Sequence, residues 1–120
     1  MDSKRIERAR SLIQKLAADF IEREINPAGT LTTITRTETS PGFKEVRIFV
    51  SVWPEMKEGE VLKALKTAKR DFYEYMKKNF KIKYMPVFVF EIDKGERARQ
   101  RIEEILSAQG GSASGGQKNK

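Results

Sequence analysis

The stretch KEVRIFVSVW (Lys44–Trp53) sorts its side chains by strict alternation: Val46, Ile48, Val50 and Val52 on one face, Arg47, Phe49, Ser51 and Trp53 on the other. Alternate residues of a strand point to opposite sides of a sheet, so this pattern is a strand with one buried face. Such a face needs a cover, which restricts the chain to a sheet with something packed on one side. The preceding segment TLTTITRTETS (Thr30–Ser40) is rich in β-branched residues, and SPGF (Ser40–Phe43) supplies turn residues between the two. Together they predict an antiparallel hairpin. YMPVFVFEID (Tyr84–Asp93) predicts a third strand, with Phe88, Phe90 and Ile92 opposite Val87 and Val89. Pro86 suits the first residue of a strand or a sheet edge.

The cover comes from helical periodicity. Between Ser3 and Ile25, the residues Ile6, Ala9, Leu12, Ile13, Leu16, Ala17, Phe20 and Ile21 recur at spacings of three and four. Ser3 is a plausible cap, and NPAG (Asn26–Gly29) stops the helix. A second helical segment runs from Gly59 to about Phe80, with Val61, Leu62, Leu65, Ala68, Phe72, Met76 and Phe80 as its apolar stripe. KGERARQRIEEIL (Lys94–Leu106) predicts a short last helix using Ala98, Ile102, Ile105 and Leu106. The expectation is one α+β domain over residues 1–106, then a disordered Gly/Ser-rich tail over 107–120, which holds no core-forming residue.

Charge is unevenly spread. Lys plus Arg total 24 and Asp plus Glu 17, a net charge of +7. Over Glu60–Lys83 eight basic residues face three acidic ones, 8 − 3 = +5. On one continuous helix Lys63, Lys66, Arg70, Lys77 and Lys81 lie opposite the apolar stripe, and Lys4, Arg8 and Lys15 take the outer face of the first helix. A charge run is commonly a solvated face. Here only Glu74 stands four residues from a cation (Arg70 and Lys78), fewer such pairs than a salt-bridged surface would show, so a phosphate-rich polyanion is the better fit. Lys69 fits badly, because a straight helix sets it at the edge of the apolar stripe. Either its stem snorkels outward, or the helix changes direction near Ala68–Arg70.

Catalysis finds little support. The chain has no His and no Cys, which removes the commonest general base, thiol nucleophiles and thiolate metal sites. Glu38, Glu45, Glu55 and Glu58 are close in sequence but form neither an acid–base pair nor a metal-ligand spacing. No enzyme activity, metal or cofactor is expected. No apolar run reaches the roughly 18–20 residues needed to cross a bilayer, and the charged start MDSKRIERAR lacks a signal peptide's apolar region. A cytoplasmic protein is expected. Phe49 and Trp53 could stack on bases, although packing is favoured. Arg36 and Arg47 on that face are either weak phosphate contacts or ordinary surface charge.

Three segments, in this order, carry a family resemblance: INPAGTLTTITRTETSPGFKEVRIFVSV, VLKALKTAKRDFYEYMKKNFKIKYMPVFVFEID and RIEEIL. Over roughly Arg5–Leu106 the chain resembles the ribosome-binding factor A family. The resemblance implies a type II KH-like fold (α-β-β-α-α-β) with helices on one face of a three-stranded sheet. It also implies binding to the small ribosomal subunit through 16S rRNA, in late 30S maturation and cold adaptation. The family's Ala-x-Gly helix bend corresponds to Ala68, Lys69 and Arg70, so the alanine is kept and the glycine is replaced. Asn26-Pro27 stands where Asp-Pro is more usual. The RNA-binding residues expected are Lys4, Arg8, Lys15, Lys63, Lys66, Lys69, Arg70, Lys77 and Lys81. Two alternatives stay open: a general RNA-binding module, and a protein-interaction domain using the Thr-rich strand as an exposed edge. A monomer is the default, for want of a spare apolar stripe.

Overall fold

A computed structural model describes the backbone of residues 3–109 and the side chains of residues 4–108. The elements are α1 (Ser3–Glu24), β1 (Leu31–Thr39), β2 (Glu45–Trp53), α2 (Glu58–Thr67), α3 (Lys69–Asn79), β3 (Val87–Ile92) and α4 (Lys94–Gln109). Single 3-10 turns at Pro41–Phe43 and Glu55–Lys57 lead into β2 and α2. The expected Ser3 cap and the tail from position 110 onward lie outside the described residues.

The sheet order is β1-β2-β3, with β1 antiparallel and β3 parallel to the central strand. The hairpin closes at Ser40, whose backbone N–H donates to the Glu45 carbonyl at 2.9 Å and whose Oγ accepts from the Glu45 N–H at 2.8 Å. Gly42 takes φ 75°, the left-handed region that its missing Cβ allows without strain. The β1–β2 register shifts between Ile34 and Arg36, leaving Thr35 as an extra, bulged residue.

The alternation in β2 sorts as its pattern requires. Val46, Ile48, Val50 and Val52 are fully buried, under Ile13, Ala17, Phe20 and Ile21 of α1, Val61 and Leu65 of α2, and Phe72 and Met76 of α3. Phe88 of β3 adds to the same side, paired in register with Val46. Phe72 is the hub: its ring meets Phe20, Phe88 and Phe90 edge-on at centroid distances of 5.1, 5.3 and 5.1 Å. Side chains of this size each favour burial by about 1.5–3 kcal/mol, and edge-to-face rings add to that.

Three helical boundaries differ from the projection. The segment projected as one helix breaks at Ala68 (φ −87°, ψ 10°) into α2 and α3. Val61, Leu65, Phe72, Met76 and Phe80 stay buried across the break while Lys69 is exposed, so the change of direction falls where the straight projection set the lysine at the edge of the stripe. Helix α3 stops at Asn79, so Lys81 lies past the helix and not on its outer stripe. At the other end α4 runs on through Ser107, Ala108 and Gln109, beyond the expected start of the tail, because nothing breaks the helix before Gly110.

Candidate nucleic-acid interface

The break at Ala68 shapes the most distinctive surface. Leu65 and Lys66 of α2, Lys69, Phe72 and Tyr73 of α3, and residues Met85–Phe90 along β3 line a groove of about 660 Å³. Its floor is apolar, from the buried Leu65, Phe72 and Phe88. Its rim carries Lys66, Lys69 and Tyr73, all exposed. Because β3 is an edge strand, one side of its backbone along the groove has no neighbouring strand. A cationic rim over an apolar floor, with the exposed Tyr73 ring beside it, suits a chain of phosphates with an unpaired base alongside.

Glycine is not needed to make this bend. Ala68 adopts an ordinary negative φ, donates its N–H to the Ala64 carbonyl at 2.9 Å, and accepts from the Phe72 N–H at 2.8 Å. Arg70 sits inside α3, where a helical backbone accommodates any side chain. The loss of the family glycine therefore leaves the bend intact and adds a guanidinium beside it.

The nine candidate contacts, Lys4, Arg8, Lys15, Lys63, Lys66, Lys69, Arg70, Lys77 and Lys81, are all exposed. They do not line one surface. Lys66 and Lys69 meet at the groove, and Lys63 joins Lys66 on the next hollow along α2. Lys77 and Lys81 share a separate hollow with Lys78, Asp71 and Glu74. Lys15 lies on the opposite flank, in a polar hollow between α1 and β1 with Ser11, Gln14, Asn26 and Thr32.

Ion pairing separates the cations into two sets. Arg36 binds Glu38 and Asp93; Arg47 binds Glu45 and Glu91; Arg97 binds Glu58 at 2.7 Å; Arg101 binds Glu55 through Nε at 2.7 Å. The carboxylates Glu38, Glu45, Glu55 and Glu58 are thus committed to arginines. The hydrogen bond from Arg101 holds the Glu55 carboxyl below its ordinary range. Among the described residues, by contrast, Lys63, Lys66, Lys69, Arg70, Lys77 and Lys81 form no ion pair. Phe49, which alternation sets on the sheet's open face, is buried beneath the Arg36 guanidinium, 3.8 Å above its ring. It is packed, not offered for stacking. Trp53 stays exposed.

The family model for ribosome-binding factor A matches residues 5–106. The chain belongs to the ribosome-binding factor A family. It is similar to ribosome-binding factor A of Chlamydia pneumoniae, 29% identical over 109 residues, covering 88% of this chain and 91% of the relative. The protein of that name from Prochlorococcus marinus is 27% identical over 111 residues, covering 89% and 90%. Among solved structures, ribosome-binding factor A from Thermus thermophilus superimposes with a TM-score of 0.63 at 17% identity, covering 73% of this chain and 94% of that one. A candidate ribosome binding factor A from Thermotoga maritima gives 0.56 at 27% identity, covering 68% and 80%. The fold is KH-like, with α4 added after β3. Family membership accounts for the order of elements. The groove could not be read from sequence, because its two walls, Lys66–Tyr73 and Met85–Phe90, are brought together only by tertiary packing.

Proposed function

We propose that this chain is a non-catalytic, cytoplasmic ribosome-binding factor that assists maturation of the small (30S) ribosomal subunit by binding 16S rRNA. Lys63, Lys66, Lys69 and Arg70 around the Ala68 break make the principal phosphate contacts, and the groove beside them takes an unpaired stretch of the RNA. Lys77 on α3 and Lys81 just past its end extend the contact, while Lys4, Arg8 and Lys15 on α1 meet a separate segment. The protein works as a single copy and biases one rRNA conformation over another by binding it more tightly. Phosphate contacts position without reading sequence, so target choice rests on RNA shape and on the bases admitted to the groove.

The observation that carries this reading is the set of unpaired cations beside an apolar groove, in a molecule whose Arg47, Arg97 and Arg101 are matched to carboxylates. Co-sedimentation with free small subunits, large subunits and assembled ribosomes tests it. Pelleting with small subunits only, weakened by salt and by Lys66→Glu with Arg70→Glu, is the expected result. Equal pelleting with all three particles would reduce the protein to a general RNA binder. Pelleting with none at low salt would remove ribosome binding altogether.

A further inference from the structure

This fold leaves few aromatic rings in solvent. Each of the seven phenylalanines is buried or half-buried. Tyr75 packs against Phe20 at 5.4 Å and has the Arg23 guanidinium over its ring. Among the described residues only Trp53, Tyr73 and Tyr84 are exposed aromatics, and Tyr84 carries the Lys83 ammonium 5.4 Å from its centroid. Of these three, Tyr73 alone lines the groove between α2–α3 and β3. It is 39% exposed. Among the described residues its hydroxyl makes no hydrogen bond and its ring meets no other ring or cation. The helix places it there: Phe72 takes the core side of α3, and the next residue turns by about 100° to the groove rim.

Helical spacing also sets cations around this ring. Lys69 precedes it by four residues, Arg70 by three, and Lys77 follows by four, so all three are its neighbours on the surface of α3. Lys66, near the end of α2, lines the same groove. Among the described residues none of these four cations is in an ion pair. An unpartnered ring among uncompensated cations is complementary to a ligand that is both anionic and aromatic. A nucleotide is both, whereas an apolar peptide would leave the four charges without a counter-charge. Pairing of the nucleotide matters as well. A duplex keeps the faces of its bases stacked inside the helix, while an unpaired base can lay its face on a side-chain ring.

We propose that Tyr73 is a base-stacking residue, through which the groove takes RNA only where a base is unpaired. The proposal rests on the RNA reading above and adds to it the single-stranded class of target. Tyr73→Ala, Tyr73→Leu and Tyr73→Phe are compared with wild type by fluorescence anisotropy on two probes. One is a fluorescein-labelled CA-repeat RNA, which cannot pair with itself, and the other an RNA duplex of equal length. Binding to intact small subunits is followed by filter binding, and circular dichroism confirms that each variant is folded. The Ala and Leu variants are expected to bind the single strand about tenfold more weakly, the scale of losing one stacked base. The Phe variant should match wild type, and all four proteins should bind the duplex alike. An unchanged Ala variant, an equal loss on both probes, or full binding by the Leu variant overturns the proposal, since each removes the need for an aromatic face. So does a loss in the Phe variant, which would assign the contact to the hydroxyl. A loss confined to intact subunits, with the single strand bound normally, would give the ring to a ribosomal protein and overturns it too. Lys66→Glu/Arg70→Glu weakens binding to both probes if the RNA reading holds, whatever Tyr73 does. Wild-type protein that binds neither probe overturns both readings.

Discussion

The Thr35 hydroxyl donates to Asp93 Oδ2 at 2.6 Å, joining the bulge of β1 to the residue that caps α4. The other carboxylate oxygen of Asp93 accepts from the Glu96 N–H, and the Arg36 guanidinium approaches at 3.5 Å. One side chain thus ties the edge strand, the stacked Arg36–Phe49 pair and the first turn of α4 into a single arrangement. Asp93→Ala is expected to destabilise the domain by about 1–2 kcal/mol, the usual cost of losing a cap with a second partner. Urea unfolding followed by circular dichroism measures it. Thr35→Val should cost less, because the cap to Glu96 remains.

The same carboxylate sets a pH dependence. The Thr35 hydrogen bond, then the Glu96 N–H and then Arg36 hold the Asp93 carboxyl below its ordinary value of 3.8. The unfolded chain therefore takes up the proton first as pH falls, and the stabilisation present above that value is lost progressively below it. The difference in unfolding free energy between wild type and Asp93→Asn should be constant from pH 7 to pH 5. It should shrink as pH drops through and below 3.8. A difference that grew on acidification would contradict the assignment.

Restoring the family glycine is expected to harm the protein. Arg70 is the second residue of α3, so Arg70→Gly should cost stability, by less than the roughly 1 kcal/mol of a glycine in a helix interior. It should also weaken rRNA binding through the lost charge. Thermal unfolding and a binding titration on the same sample check both parts. A gain in either would mean that the bend needs the glycine after all.

Lys66 and Arg47 are both exposed cations, yet only one lacks a carboxylate partner. Lys66→Gln is expected to lower affinity for extracted 16S rRNA and to reduce the slope of log affinity against log salt by about 1. Arg47→Gln should leave both within error, since that guanidinium already bridges Glu45 and Glu91. Equal effects would show that pairing does not decide which cations meet RNA.

Phe72 joins α1, α3 and β3 through its ring contacts. Phe72→Ala is expected to cost about 3–5 kcal/mol, a large share of the 5–15 kcal/mol typical of small domains. Denaturant unfolding would register this as a lower midpoint. Tyr73→Ala, beside it but exposed on the groove rim, should leave the midpoint nearly unchanged.

The alternation of Val46, Ile48, Val50 and Val52, the stripes of the helices, the Ser40–Phe43 turn and the excess of lysine over Glu60–Lys83 were all legible in the sequence. Each is a local periodicity or a local surplus, and such patterns dictate which face is buried before any partner is known. Three things were settled only in three dimensions. The break at Ala68, one of the two readings Lys69 left open and the one the family resemblance implied, was decided by packing Leu65 and Phe72 into one core. The division between engaged and available cations rests on pairs far apart in sequence, such as Arg97 with Glu58 and Arg101 with Glu55. The exposure of Ile102, Ile105 and Leu106 was the third, because their stripe predicted a packed helix and among the described residues it stays uncovered. Periodicity states which side chains want a cover, and only the tertiary arrangement decides whether the chain supplies it.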